Sequence, residues 1–387
     1  MDILKEALDL RSELIRWRRA LHRCPEIGLE LPQTKAFVLG ELTALGYAPN
    51  DLGKAGIVAE IGTGETVLLR ADMDGLPVEE EATLEFSSKN GNFHGCGHDL
   101  HTAMLLGAAA LGKRLEPILP CRIRFYFQSG EEVLQGAQLG VQAGVCDGVA
   151  RAYMLHVSVN THLKSGTVIL PPGGIVAPSA DYFELEVKGK GSHGADPSSG
   201  VDSLSVAARI LLGLQHLPAR EIPSGERAAL TVASLQGGNS YNVLPDHVRL
   251  QGSLRCYNED LRRHLKQRVE EIAVSLSTAF RAEAQVSFPA ACPTLYNSVP
   301  VRRAAEPILK NLFPDRLLVL DSPSGTAGSE DFAVISHAVP SLMLALAAGD
   351  SGVGLHHPQV VFDESCLPYG TAALLSLALE GAVDGIQ

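Results

Sequence analysis

Val67-Leu68-Leu69-Arg70-Ala71 runs straight into Asp72-Met73-Asp74-Gly75-Leu76-Pro77. A continuous apolar run closed by glycine and proline reads as a strand buried on both faces of a parallel sheet, with two aspartates at its carboxyl end. The pattern recurs twice. Arg122-Ile123-Arg124-Phe125-Tyr126-Phe127 leads into Gln128-Ser129-Gly130-Glu131-Glu132, and Ala150-Arg151-Ala152-Tyr153-Met154-Leu155 leads into His156. In open α/β sheets, ligands bind outside the carboxyl ends of the strands. Three strands are therefore expected to deliver Asp72 and Asp74, Glu131 and Glu132, and His156 to one edge.

The segment Phe93-His94-Gly95-Cys96-Gly97-His98-Asp99-Leu100-His101 joins them there, with a thiol and three imidazoles beside two glycines. Those side chains bind divalent metals, and the glycines let the backbone turn closely around an ion. Small and apolar residues follow, Thr102 to Ala110, so the loop is expected to open a buried helix whose positive end favours a thiolate at Cys96.

Outward from this centre, apolar residues at helical spacing predict one helix over residues 2–23 and another over 33–45. After Pro178 the texture changes. Tyr182-Phe183-Glu184-Leu185-Glu186-Val187 alternates like a half-buried antiparallel strand. A helix capped near Asp202 is expected over Ser203–Leu217, then strands at Ala229–Ser234 and His247–Arg255, a helix over Asn258–Ala282 and a strand at Gln285–Phe288. This β-α-β-β-α-β order predicts an inserted ferredoxin-like α+β domain over residues 178–291, a lid whose sheet edges invite pairing with a second copy. Beyond Pro293 come a helix at Val299–Leu312, a loop from Ser324 to Phe332, a strand at Ser341–Ala345 and a last helix from Glu364 to Leu379. Residues 1–177 and 292–387 together are thus expected to form one α/β catalytic domain, a mostly parallel sheet with helices on both faces.

A chain of 387 residues with 45% hydrophobic content builds two or three cores. A net charge of −12 without a basic run argues against nucleic acid and anionic membrane partners and favours a small molecule. With no long apolar span and no signal-peptide pattern, a cytoplasmic location is expected. The cysteines are scattered without paired spacing, as reduced thiols are.

Cys96, His98, Glu132, His156 and one histidine of the pair His356–His357 make five ligands of mixed S, N and O type. One tetrahedral ion needs fewer, so the set suggests two ions that hold a hydroxide and polarise a carbonyl together. The adjacent Glu131 and Glu132 then divide the work: one ligates while the other stays free as general base and acid.

Arg70 to Pro77, Cys96 to His101, Glu131-Glu132, Gly189-Lys190-Gly191-Ser192-His193, Gly328-Ser329-Glu330-Asp331-Phe332 and Leu355-His356-His357-Pro358 occur in the order that resembles the aminoacylase and hippurate hydrolase branch of the dinuclear metallo-amidohydrolases. That branch also holds the indole-acetyl-amino-acid hydrolases. The resemblance covers essentially the whole chain. It implies a two-domain, dimeric enzyme that removes an acyl group from an N-acyl-amino acid by attack of a metal-activated hydroxide. Carried over by position, Cys96, His98, Glu132, His156 and His356 bind metal, Glu131 is the general base, and Asp74 orients a ligand imidazole. His193 resembles the histidine that steadies the oxyanion in a partner subunit's site. Asn242 and Arg255 are similar to residues that hold the substrate carboxylate.

Ser129-Gly130 and Val133-Leu134-Gln135 depart from the branch, which often has Pro-Ala before the glutamates and a glycine run after them; the departure touches substrate identity, not reaction type. The thiolate suits zinc, while the carboxylate and imidazoles equally accept manganese, cobalt or nickel, with zinc or manganese favoured. Three other readings compete: a thiol nucleophile at Cys96 with His98 or His101 as base, a metal-binding protein without catalysis, and a carboxypeptidase or dipeptidase on the same site.

Overall fold

In the computed structural model, which describes residues 2–322 and 328–380, strand Thr66–Asp72 is buried along its whole length. It lies between two parallel neighbours, Arg122–Gln128 and Val149–Ser158. These are the three apolar runs of the sequence, side by side, each with a strand neighbour on either edge; burial of their side chains comes from cover on the faces of the sheet. The full sheet has eight strands in the order Asn50–Asp51, Gly56–Ile61, Arg122–Gln128, Thr66–Asp72, Val149–Ser158, Ser341–Ala347, Val168–Leu170 and Leu317–Val319. It is mixed and mostly parallel: Gly56–Ile61 and Val168–Leu170 run antiparallel to the neighbours at Arg122–Gln128 and Ser341–Ala347.

This sheet belongs to one of two compact units, made of residues 2–176, 295–322 and 330–380. Its core is centred on helix His98–Arg114, which is buried from His98 to Gly112. Helices Arg11–His22 and Leu367–Glu380 pack on it. Gly107 permits the close approach, since a Cβ there would stand 2.5 Å from Leu14 and 2.8 Å from Thr371.

Two elements differ from expectation. The first predicted helix is two, Ile3–Asp9 and Arg11–His22, broken at Leu10, whose amide is shared between the Glu6 and Ala7 carbonyls. Strand Val149–Ser158 does not end before His156. Ser341–Ala347 keeps pairing with it, Ala345 opposite His156 and Ala347 opposite Ser158, so the ladder on that side continues past the histidine.

The second unit comprises residues 177–294 with 328 and 329. Its antiparallel sheet has the order Ala228–Gln236, His247–Cys256, Ala180–Lys188 and Glu283–Cys292. Helix Ser203–Leu214, capped by Asp202, and helix Glu259–Ala279, capped by Asn258, share a core with that sheet through Val206, Ile210, Val269, Phe183 and Leu250. Both helices stop short of the predicted ends: the first gives way to a separate turn of helix at His216–Arg220, and beyond the second Arg281 takes a left-handed φ of 65°. Of the loop expected from Ser324 to Phe332, Ser324 to Ala327 lie outside the described residues.

Candidate active site

The carboxyl ends of the three central strands and the start of helix His98–Arg114 converge in the first unit. Gly97 caps that helix with a left-handed φ of 86°. A Cβ there would stand 2.4 Å from Val157 Cγ2 and 3.3 Å from the Phe362 ring. Gly97→Ala is expected to cost about 1–2 kcal/mol from the backbone alone and more from overpacking, displacing Cys96 and His98 together. Thermal unfolding of the metal-free chain checks this; an unchanged Tm would contradict it.

Cys96 Sγ lies 3.5 Å from His156 Nε2 and 3.3 Å from His356 Nε2. Glu132 Oε1 is 3.9 Å from His98 Nε2 and 3.6 Å from His356 Nε2. Ligand atoms of Cys96, His98 and His156 fall within 4.8 Å of one another, as do those of Cys96, Glu132 and His356, so the two groups share Cys96. The tautomers suit metal binding. His156 Nδ1 donates to the Val157 carbonyl at 2.7 Å, and His98 Nδ1 donates to the Asp74 carbonyl at 2.9 Å. Each Nε2 lone pair is left facing the cluster. His98 Nε2 and Glu132 Oε1 are buried with no hydrogen-bond partner. Buried polar atoms rarely go unpaired, and a cation among these donors satisfies both, so the residues fit a metal.

Burial pushes the Cys96 thiol up, against the pull of neighbouring His98. The helix end alone therefore does not set the proton at Cys96; deprotonation is expected to come with the cation. Burial also lowers His156 to about 3, keeping it a neutral imidazole.

Asp74 accepts from the amides of Glu131 and Glu132, at 3.0 and 3.1 Å. Its carboxylate thus clamps the glutamate pair, with Oδ1 also 3.6 Å from His98 Nδ1, while its carbonyl accepts the hydrogen bond of that imidazole. Glu131 is 5% exposed, with Oε2 at 4.0 Å from His98 Nε2, and its Oε1 accepts from the Asp331 amide at 3.3 Å. Burial, then the charges of Glu330, Glu132 and Asp331, push its carboxyl well above the usual range. Behind it Arg70 pairs with Asp72 at 2.7 Å, Glu330 at 3.0 Å and Asp331 at 2.8 Å. Sequence reading missed this hub, although an arginine inside an apolar strand was a signal: a buried guanidinium needs anions around it.

His356 takes a left-handed φ of 67°, with its amide bonded to the Gly95 carbonyl at 2.9 Å. That bond ties the far end of the chain to the Cys96 loop. His357 is exposed, and its Nδ1 accepts from the Gln359 amide. The remaining predicted residues lie in the second unit. His193 and Asn242 are neighbours there: Ser192–His193 pairs with Val243–Leu244, and the Gly194 amide donates to the Asn242 carbonyl at 2.6 Å. Arg255 donates to Ser329 Oγ and to the Tyr182 hydroxyl.

The profile of Peptidase family M20/M25/M40 matches residues 68–380. An N-acetyl-L-cysteine deacetylase of Bacillus subtilis (strain 168) is 35% identical over 364 residues, covering 92% of this chain and 85% of its own. An N-acyl-L-amino acid amidohydrolase of Geobacillus stearothermophilus is 38% identical over 290 residues, covering 72% and 76%. The crystal structure of a dinuclear metal-binding peptidase of the M20 family from Bacillus subtilis aligns with a TM-score of 0.78 at 28% identity, over 96% of this chain and 98% of that one. Over most of its length, from the central strand to the last helix, this chain therefore belongs to peptidase family M20/M25/M40.

Proposed function

We propose that the chain is a metal-dependent amidohydrolase that cleaves the amide bond of N-acyl-L-amino acids, with Glu131 as general base and acid. The observation that carries this reading is the pair of orphaned buried ligand atoms, His98 Nε2 and Glu132 Oε1, with a second buried carboxylate, Glu131, 4.0 Å from the same His98 nitrogen. Cys96, His98, Glu132, His156 and His356 would hold two divalent ions, zinc or manganese. When bound, they polarise the amide carbonyl and make water acidic enough to attack at neutral pH. Glu131 removes a proton from the attacking water and returns it to the leaving amide nitrogen. The Asp331 amide and the Asp74 clamp fix the carboxylate that does so.

We assign the second unit the roles of lid and dimer contact. Its edge strands Ala228–Gln236 and Glu283–Cys292 offer pairing surfaces to a second copy. On this reading His193 steadies the oxyanion in the partner's site, while Asn242 and Arg255 hold the substrate carboxylate. No helix among the described residues is long and apolar enough to cross a membrane. The seven cysteines are all free, in keeping with a cytoplasmic, reducing location.

Metal analysis of the purified protein, together with hydrolysis of acetyl-, benzoyl-, long-chain-acyl- and indole-acetyl-amino acids with and without chelator, tests the reading. About two ions per chain and release of free amino acid that stops on chelation are expected. Hydrolysis of dipeptides alone would move the assignment to a dipeptidase, and bound metal without turnover would leave a binding protein.

A further inference from the structure

Strands Thr66–Asp72 and Val149–Ser158 are paired in parallel only as far as Arg70 opposite Met154. Beyond that point they part, while Val149–Ser158 stays paired on its other edge. A ladder amide is thereby left without a strand partner at Val157, next to His156. The His101 ring fills this opening. It is 2% exposed; the Val157 amide donates to its Nε2 at 2.9 Å, and its Nδ1 lies 2.6 Å from Asp72 Oδ1. Since Nε2 accepts, Nδ1 carries the proton and donates to Asp72. The ring therefore replaces the missing rung, joining the end of one strand to the other. It also touches both proposed ligand histidines on this path, with centroids 5.4 Å from His98 and 4.6 Å from His156.

We infer that His101 is a positioning residue: as a hydrogen-bonded wedge between the splayed strands, it sets the spacing of His98 and His156 around the metal. Helix His98–Arg114 carries His98 and His101 one turn apart, and Val157 follows His156. One imidazole thus locks helix and strand in register. The Thr102 hydroxyl, donating to the Asp72 carbonyl at 2.8 Å, braces the same joint. The inference rests on the proposed ligands, and its test keeps the two apart.

The test is titration of the full, metal-stripped chain with Co(II), read by the visible ligand-field and thiolate-to-cobalt bands and by chelator competition. His101→Phe fills the opening but offers neither donor nor acceptor; it is expected to weaken Co(II) binding about 10–100-fold and to shift the bands. His101→Gln carries a donor and an acceptor on one terminal amide and is expected to recover most of the affinity and the wild-type band positions. If His101→Phe does not fold, His101→Asn, too short to reach both Asp72 and Val157, takes its place with the same expectation. Wild-type affinity and spectrum in His101→Phe would overturn the inference, as would a folded His101→Gln that binds as weakly as His101→Phe. A wild-type chain that binds Co(II) without a thiolate band rejects the ligand assignment itself, and the inference falls with it.

Discussion

Glu131→Gln is expected to lower kcat by about 10²–10⁴-fold, the usual worth of a positioned general base, while metal content stays at the wild-type value. The amide of glutamine fills the same space and still accepts from the Asp331 amide that bonds Glu131 Oε1. It cannot take a proton from water. Removing the carboxylate also takes one charge from a crowded group in which Glu330, Glu132 and Asp331 all face it, so folding is not expected to suffer. Glu132→Gln makes the contrasting case. Glu132 Oε1 lies between His98 and His356, and its loss is expected to release metal as well as activity. Steady-state kinetics beside metal analysis separates the two roles; a Glu131→Gln variant as fast as wild type would remove the general base from the proposal.

Arg70→Met is expected to destabilise the fold by about 3–5 kcal/mol, the cost of breaking a buried ion cluster from one side. Arg70 is 1% exposed and bonds Asp72, Glu330 and Asp331. Methionine matches much of its volume, so packing is nearly kept and the loss reads as electrostatic. Three buried carboxylates would be left facing one another without a cation. Gln128, which donates to both Asp331 oxygens at 2.8 Å, relieves only part of that. Urea unfolding of the metal-free chain measures the effect; a midpoint close to wild type would mean that the carboxylates repel less than their spacing implies.

Glu131 follows the end of an apolar strand, and the strand ends were legible, whereas Arg70 lies inside such a strand and its role was not. Three buried runs announced three adjacent parallel strands, and the glutamates, aspartates and His156 fell where such strands deliver ligands. The alternation after Pro178 announced the antiparallel sheet of the second unit equally well. What sequence could not supply was direction and proximity across long separations. His101 stands one turn from His98 on the same helix, yet its ring turns to Asp72 and the Val157 amide, because the strands part at a point no periodicity marks. Glu330 and Asp331 meet Arg70 only through the fold. For Cys96 the local motif placed the thiol at a helix end but not its burial, which pushes the thiol up. For Asp74 the local motif placed the residue beside the imidazole, but not the second task of its carboxylate, which holds the amides of Glu131 and Glu132.

Strand Ser341–Ala347 lies in the middle of the large sheet, between Val149–Ser158 and Val168–Leu170, although it is made after the whole sheet of the second unit. Until it leaves the ribosome, the growing chain carries two apolar strand edges with nothing between them, a hazard for aggregation. The second unit, whose sheet is drawn from one uninterrupted stretch, has no such wait. Nascent chains halted shortly before residue 341 should therefore hold a finished second sheet beside a gapped first one, and depend on chaperones until Ser341–Ala347 closes the gap.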